Sequence, residues 1–295
     1  METASGSLTE SRHTVLSLLG RAADHLRSLG FDEARLHAEL LLAHVLGLPR
    51  IGLYLNFDRP LIAEETDHFK TLFRRRLNHE PLQYILGETE FMGLRIVVDP
   101  RVLIPRPETE LLVERALAFA AGLSGGPIAI LDVGTGSGNI AVALAHRLRS
   151  ASVTALDVSA DALRVADGNV ERHVPGRVEL VTGDLFADVL PRRTFDLVVS
   201  NPPYIPLEEF PRLQPEVRDF EPRLATTDEG DGLRFHRRLV HLAWNFLRPG
   251  GALMVEIGFG QAGAVSGLFS DGGFTGVAVT PDYAGIARVV EGRKP

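Results

Sequence analysis

From Val15 to Leu29 the apolar residues Val15, Leu18, Leu19, Ala22, Leu26 and Leu29 recur three and four positions apart. That is the spacing of one helix face, and Gly30 follows as a stop. The run EARLHAELLLAHVLG predicts a second helix, which Asp32 can cap and Gly47 ends. A third is predicted over 63–77, with Phe69, Phe73 and Leu77 on one stripe. Its end carries Arg74, Arg75 and Arg76, which read either as a solvated face or as a patch for an acidic protein or RNA. His37 and His44, on the second helix, read as surface or packing residues.

Between 81 and 106 the periodicity changes. EFMGLRIVVDP reads as two short strands about Met92-Gly93, a hairpin. After Gly125-Gly126-Pro127, short apolar runs alternate with amphipathic ones. Strands are predicted over 128–133, 152–157, 178–181, 195–200, 252–257, 275–280 and 286–291. Amphipathic stretches such as 140–148 and 233–247 separate most of them. This alternation predicts an α/β domain with a mostly parallel sheet. The expected organisation is a helical domain at 1–80, a hairpin linker at 81–106 and an α/β domain at 107–295.

Composition narrows the classes. The 295 residues, 45% of them apolar, suffice for one large or two modest domains with a proper core. Cysteine is absent, which removes disulfides and thiolate metal sites and suits a reducing compartment. The net charge of −7 argues against a nonspecific nucleic-acid binder but leaves room for a local basic patch. METASGSLTESRHT lacks the layout of a secretory signal, and no apolar run is long enough to span a bilayer. The expectation is a soluble cytoplasmic protein. The ten histidines form no HExxH pair, so no metal is expected. A P-loop and a G-x-S-x-G elbow are also missing.

ILDVGTGSGNIAVALA reads as a buried strand, a glycine turn and a helix. Gly134, Gly136 and Gly138 permit a tight turn and close approach of a ligand. In a doubly wound sheet such a turn lies at the carboxyl edge, where ligands bind. A dinucleotide fingerprint wants glycine at 139, where Asn139 stands. The G-x-G-x-G spacing after Asp132 instead resembles the S-adenosylmethionine loop of class I methyltransferases. Asp157 ends the next predicted strand and can accept both ribose hydroxyl hydrogens of an adenosine. In VTGDLF, Asp184 is placed to accept from an adenine amino group, with Leu185 and Phe186 as an apolar wall.

VVSNPPYIP places Asn201 at another strand end, before two prolines. A residue preceding proline is held extended, and proline itself has fixed φ and no N–H. Asn201 Oδ1 and the Pro202 carbonyl then form a rigid pair of acceptors, with Pro203 stiffening the segment and Tyr204 adding a flat apolar surface. Two acceptors suit the two hydrogens of a planar –NH2 group. They fix its nitrogen toward an electrophilic methyl group and stabilise the positive charge that develops there.

Asn-Pro-Pro-Tyr after such a loop occurs in N6-adenine DNA methyltransferases and in glutamine-amide methyltransferases. LIPRPETE, EPLQYILGETEF, ILDVGTGSGNIAVALA, GDLF, VVSNPPYI and EVRDFEPRLA together resemble the release factor glutamine methyltransferases, called PrmC or HemK, from about residue 30 onward. The first helices resemble that family's small helical domain in character more than in detail. The resemblance implies a class I, Rossmann-like methyltransferase with a seven-stranded, mostly parallel sheet, joined by a β-hairpin to a helical substrate-recognition domain. It implies methyl transfer from S-adenosylmethionine to the N5 amide nitrogen of the glutamine in the Gly-Gly-Gln motif of class 1 release factors. Gly134, Thr135, Gly136, Ser137, Gly138, Asp157, Leu185 and Asn201 would line the cofactor site, and Asn201, Pro202, Pro203 and Tyr204 would hold the glutamine. The family position matching Leu185 can be a larger aromatic, for which Phe186 would compensate. Arg106 and Glu108 either shape the pocket mouth or start a helix, as Pro107 and Glu108 suit a helix N-terminus. The expected partner is a release factor, with no nucleic acid and no membrane, and the expected state is a monomer. Two other readings stay open: adenine-N6 methylation of DNA or RNA, and a SAM-binding scaffold without catalysis.

Overall fold

The computed structural model describes residues 13–123, 126–184 and 194–295. The chain divides between Leu86 and Gly87 into two units. In the first, α1 (Val15–Ser28), α2 (Ala34–Leu46), α3 (Arg50–Tyr54), α4 (Ala63–Leu77) and α5 (Leu82–Leu86) enclose their own core. The stripe Val15, Leu18, Leu19, Ala22 and Leu26 is buried with Ala38, Leu41 and Leu42 of α2 and Phe69 and Leu72 of α4. Thr14 caps α1 by accepting from the Ser17 amide at 3.2 Å.

Two local expectations fail here. Asp32 does not cap α2: Glu33 holds the N-cap position in a left-handed conformation (φ 50°), which leaves Asp32 one residue too far upstream. The arginine run is also not a common surface. Arg75 forks onto Glu80 at 2.8 and 2.6 Å. Arg76 is buried, donates to the Glu80 carbonyl at 3.0 Å and lies over the Phe31 ring. Of the three, Arg74 alone is exposed. A polar centre that periodicity gave no hint of is Glu39, fully buried and accepting from Arg35, Arg50 and Tyr54 at 2.6 to 2.7 Å.

The second unit opens with the hairpin β1 (Glu88–Phe91) and β2 (Leu94–Val97), turned by Met92 and Gly93 with φ of 52° and 78°. Two successive left-handed residues match the twist of the paired strands. Then α6 (Pro107–Ala121) begins with proline at its first turn, where a missing N–H costs nothing. The remaining order is β3 (Ala129–Val133), α7 (Asn139–Arg147), β4 (Ser152–Asp157), α8 (Ala160–His173), β5 (Val178–Thr182) and β6 (Phe195–Ser200), followed by α9 (Pro215–Phe220), α10 (Arg223–Thr226) and α11 (Arg234–Phe246). Last come β7 (Leu247–Glu256), α12 (Ala262–Asp271), β8 (Thr275–Pro281) and β9 (Ala287–Arg293). β7 starts five residues before the run that predicted it, directly after α11.

Seven strands form one sheet in the order β5-β4-β3-β6-β7-β9-β8, with β9 antiparallel to both its neighbours. This is the expected α/β sheet, and every predicted strand is present. From β3 the chain winds outward through β4 and β5, then returns to the other side of β3 with β6 and β7. The order reverses between β3 and β6, so a crevice is forced open where the loops after these two strands part. Both strands are almost wholly buried, as their mostly apolar residues Ile130, Leu131, Val133, Leu197, Val198 and Val199 require. No helix among the described residues is long and apolar enough to cross a membrane.

The hairpin is tied to the sheet's helical layer by Asn169 of α8, which is fully buried. Its Oδ1 accepts from the Val97 amide at 2.8 Å, and its Nδ2 donates to the Val97 and Ser137 carbonyls at 3.0 and 2.9 Å. Asn169→Ala strands these backbone groups and is expected to cost about 3 kcal/mol. The melting temperature should fall by roughly 5–10 °C. A change below about 1 °C in thermal unfolding would contradict this role.

Candidate active site

A cavity opens at the carboxyl ends of β3 to β6. Its floor is the turn Gly134 to Ser137, one wall is Leu156 to Ser159 with Gly183 and Asp184, and the other is Ser200 to Pro203. Arg106, Thr109, Pro222, Leu224, Ala225 and Phe235 close the mouth. Leu185 and Phe186 lie outside the described residues.

The turn is built by backbone that only glycine adopts without strain. Gly134, Gly136 and Gly138 have φ of 71°, 54° and 78°. A Cβ on Gly138 would also sit 3.1 Å from the Ala166 Cβ of α8. The Gly134 and Thr135 amides donate to the Leu156 carbonyl at 2.8 and 3.0 Å. Asp157 completes the cradle, accepting from the Gly136 amide on Oδ2 at 2.8 Å and the Ser159 amide on Oδ1 at 2.9 Å. Burial raises its pKa from the ordinary carboxyl value despite these bonds. Each oxygen keeps a lone pair for another donor. Beneath the turn, Asp132 is fully buried; its Oδ2 accepts from the Thr135 hydroxyl at 2.6 Å, while Oδ1 has no partner. Burial pushes Asp132 up to about 7, against the pull of that bond.

Opposite the turn, Asn201 Nδ2 donates to Thr109 Oγ1 of α6 at 3.0 Å. This fixes the carboxamide and leaves Oδ1 as the atom presented to the cavity. Among the described residues no donor bonds to Asn201 Oδ1 or to the Pro202 carbonyl. Tyr204 stands apart from the cavity lining. Its hydroxyl points to Glu256 Oε1 at 3.3 Å, and burial raises the phenol's pKa so that it stays a donor. The far end of the motif is pinned by Gln261, whose Nε2 donates to the Tyr204 carbonyl at 2.9 Å while its Oε1 accepts from the Gly258 amide at 2.8 Å.

Arg106 reaches the mouth, where its Nη2 donates to both Glu221 oxygens at 2.7 and 2.9 Å. Burial raises the Glu221 pKa, and the guanidinium opposes it. Glu108 faces Arg288 at 3.9 Å instead of entering the cavity. Among the described residues no three His, Asp or Glu side chains gather as metal ligands.

The structure thus brings Gly134 to Ser137, Asp157, Asp184, Asn201, Pro202, Pro203 and Arg106 to one cavity. Sequence reasoning missed Thr109, Glu221, Gln261 and Glu256. Thr109 lies inside the quoted PRPET run, and its position three residues after Arg106, on the inner face of a helix begun by Pro107, was the available signal.

A family model described as the PrmC N-terminal domain matches residues 17–87, and one described as a methyltransferase domain matches 130–220. The chain is 49% identical over 280 residues to a release factor glutamine methyltransferase of Geobacter sulfurreducens, covering 95% of this chain and 96% of that one. It is 47% identical to a protein of the same name from Chlorobaculum tepidum, covering 93% and 95%. A solved methyltransferase from Pyrococcus furiosus matches at 20% identity with a TM-score of 0.51, covering 78% of this chain and 98% of that one, a likeness of fold.

Glu256 at the end of β7 is 1% exposed, and burial lifts its pKa to about 7 although the Tyr204 hydroxyl donates to it at 3.3 Å. A carboxyl whose folded pKa lies above its unfolded value adds stability below the unfolded value and loses it as pH rises through the folded one. Thermal stability of the ligand-free protein should therefore fall between pH 6 and 8 by less in Glu256→Gln than in the wild type. Equal slopes in melting curves over that range would contradict a buried, titrating Glu256.

Proposed function

The chain belongs to the release factor glutamine methyltransferase family, and we propose that it methylates the side-chain amide nitrogen, N5, of the glutamine in the Gly-Gly-Gln motif of class 1 peptide chain release factors. The observation that carries this reading at the site is the Asn201–Thr109 bond, which turns one carboxamide oxygen toward the cavity beside the Pro202 carbonyl. These two acceptors take the two hydrogens of the glutamine –NH2. They hold its nitrogen in one orientation, which removes much of the entropic part of the barrier. They also stabilise the positive charge that grows on nitrogen during alkylation.

The cofactor of this reading is S-adenosylmethionine. The cradle fits it: the turn carries no Cβ at Gly134 or Gly136, and the space a Cβ would take is open. Asp157 has acceptor capacity for ribose hydroxyls, and Asp184 on the same wall for an adenine amino group. When bound, S-adenosylmethionine supplies a sulfonium methyl group and leaves as neutral S-adenosylhomocysteine, while the amide nitrogen gives up one proton to solvent. Tyr204 serves by bracing the motif through Glu256 and Gln261. Arg106, fixed by Glu221, shapes the mouth through which the glutamine enters.

A release factor is far larger than one side chain, and the helical unit supplies the surface that selects it. We read the protein as a cytoplasmic monomer acting on protein. Intact-mass analysis of a release factor incubated with the enzyme and S-adenosylmethionine, followed by fragment mapping, should give one added methyl on the Gly-Gly-Gln glutamine. A short peptide bearing the motif should react more slowly than the whole factor. No gain in mass, or methyl found on adenine in nucleic acid instead, would overturn the reading.

Asn201→Ala should lower turnover by about tenfold to a hundredfold or more, the usual cost of losing a transition-state acceptor. Affinity for S-adenosylmethionine by calorimetry should stay within about twofold, since the cradle is built elsewhere. A near-normal single-turnover rate would remove Asn201 from the mechanism.

A further inference from the structure

We propose that Phe259 and Tyr283 form an aromatic rim on the carboxyl edge of the sheet, where the body of the release factor docks through an uncharged apolar patch beside its Gly-Gly-Gln segment. The inference rests on the functional reading above and deepens it.

Topology places both rings beside the cavity. β7 is parallel to β6 and lies next to it, and β9 follows on the far side of β7. Phe259 comes directly after the end of β7, and Tyr283 sits in the turn between β8 and β9. Because β9 runs antiparallel to β7, pairing Val289 with Glu256, that turn lies at the same edge as Asn201. With roughly 5 Å between neighbouring strands, the two tips stand about 5 and 10 Å along the edge from the loop that carries Asn201. Phe259 is 84% exposed and Tyr283 99%. Both are carried on braced backbone. Gln261 accepts from the Gly258 amide at 2.8 Å and donates to the Tyr204 carbonyl at 2.9 Å, and a Cβ on Gly258 would lie 3.0 Å from Tyr204 Cδ2. The Phe259 loop is thus built against the Asn-Pro-Pro-Tyr segment. In the other turn, Asp282 Oδ1 accepts from the Ala284 and Ile286 amides at 2.9 Å each, and Oδ2 accepts from Arg288 Nε at 2.9 Å.

A lone exposed ring on a protein surface calls for no explanation. Two rings on neighbouring fixed turns do, and two leucines extend the apolar surface along the same edge. Leu207 is exposed in the loop leaving β6, and Leu224 is exposed in the cavity wall. Aromatic side chains are enriched at the buried centre of protein interfaces, where a large ring is covered at little cost in conformational freedom. The charges around the rim decide the kind of partner. Arg106 is engaged by Glu221, Arg223 by Glu229 and Arg288 by Asp282. A nucleic acid is held by cations free to meet its phosphates, and these are already neutralised. An apolar protein surface leaves every pair intact. A glutamine delivered into the cavity brings the rest of its protein over this edge, so the rim is continuous with the site. Phe259 and Tyr283 bind the partner and take no part in the chemistry.

The test is steady-state methylation of a whole release factor by the wild type, Phe259→Ala, Tyr283→Ala and the double variant, with the ring-keeping variants Phe259→Tyr and Tyr283→Phe alongside. KM for the release factor should rise about fivefold in each alanine variant and about twenty-fivefold in the double one, the product expected of separate turns. At saturating release factor kcat should stay within about twofold, as should affinity for S-adenosylmethionine by calorimetry, showing that the protein is folded and competent. The ring-keeping variants should match the wild-type KM within about twofold. A merely structural role would instead lower kcat, because the Phe259 loop adjoins the segment that carries Asn201. An unchanged KM in the double variant, or a kcat that falls while KM stays, would overturn the inference and leave the functional reading intact. So would light scattering that shows a wild-type dimer made monomeric by Phe259→Ala, which would assign the rim to a second copy of this chain. Absence of methylation by the wild type would remove both.

Discussion

The hydrogen bond from Asn201 Nδ2 to Thr109 joins two parts of the second unit that lie 92 residues apart in sequence: the first turn of α6 and the loop leaving β6. A primary carboxamide has two faces of opposite hydrogen-bond character, and rotation by half a turn exchanges them. Without a fixed acceptor for its Nδ2, Asn201 would present an acceptor or a donor pair to the cavity with little preference. Thr109 removes that choice. The prolines then act on the backbone as Thr109 acts on the side chain, because fixed φ angles and missing N–H groups hold the Pro202 carbonyl where no local donor engages it. Gln261 anchors the far end, so the motif is clamped at both ends before any ligand arrives.

The other half of the cavity depends on a constraint of the sheet. The strand order reverses between β3 and β6, and the loops that follow must part at that line. The glycine turn after β3 forms one lip, and Asn201 after β6 forms the other. What the turn requires is left-handed backbone at three positions and, at Gly138, closeness to Ala166. Asp157 ties that turn to the tip of β4, so the cradle is a property of two adjacent strands and not of a loop alone. Beneath both lips lie carboxyls that burial pushes toward neutrality, Asp132 and Glu256. Each is less favourable to folding as it ionises. Such groups persist where the charge they can carry is of use.

Much of the sheet was legible because a strand buried on both faces is mostly apolar, and β3, β4 and β6 carry short apolar clusters bounded by turn residues. The glycines and prolines were legible because each imposes a backbone conformation whatever surrounds it. The side-chain network was not. Asn169 answers a backbone amide 72 residues away, and Glu256 ends a strand with nothing local to mark it as buried or coupled. Arg75 and Arg76 read as surface charge because their partners Glu80 and Phe31 are supplied by the fold. Asp32 failed as a cap because the left-handed turn at Glu33 shifts the helix start by one residue. The sequence pattern specifies backbone and burial; the pairing of polar groups emerges only when elements meet.

The most direct measurement is a crystal structure of the protein with S-adenosylhomocysteine and a release factor, or a peptide carrying its Gly-Gly-Gln segment. The glutamine amide nitrogen should lie within hydrogen-bond distance of both Asn201 Oδ1 and the Pro202 carbonyl, with Asn201 Nδ2 still on Thr109. A glutamine amide held by other residues, or an Asn201 that has left Thr109 to donate to the substrate, would contradict it.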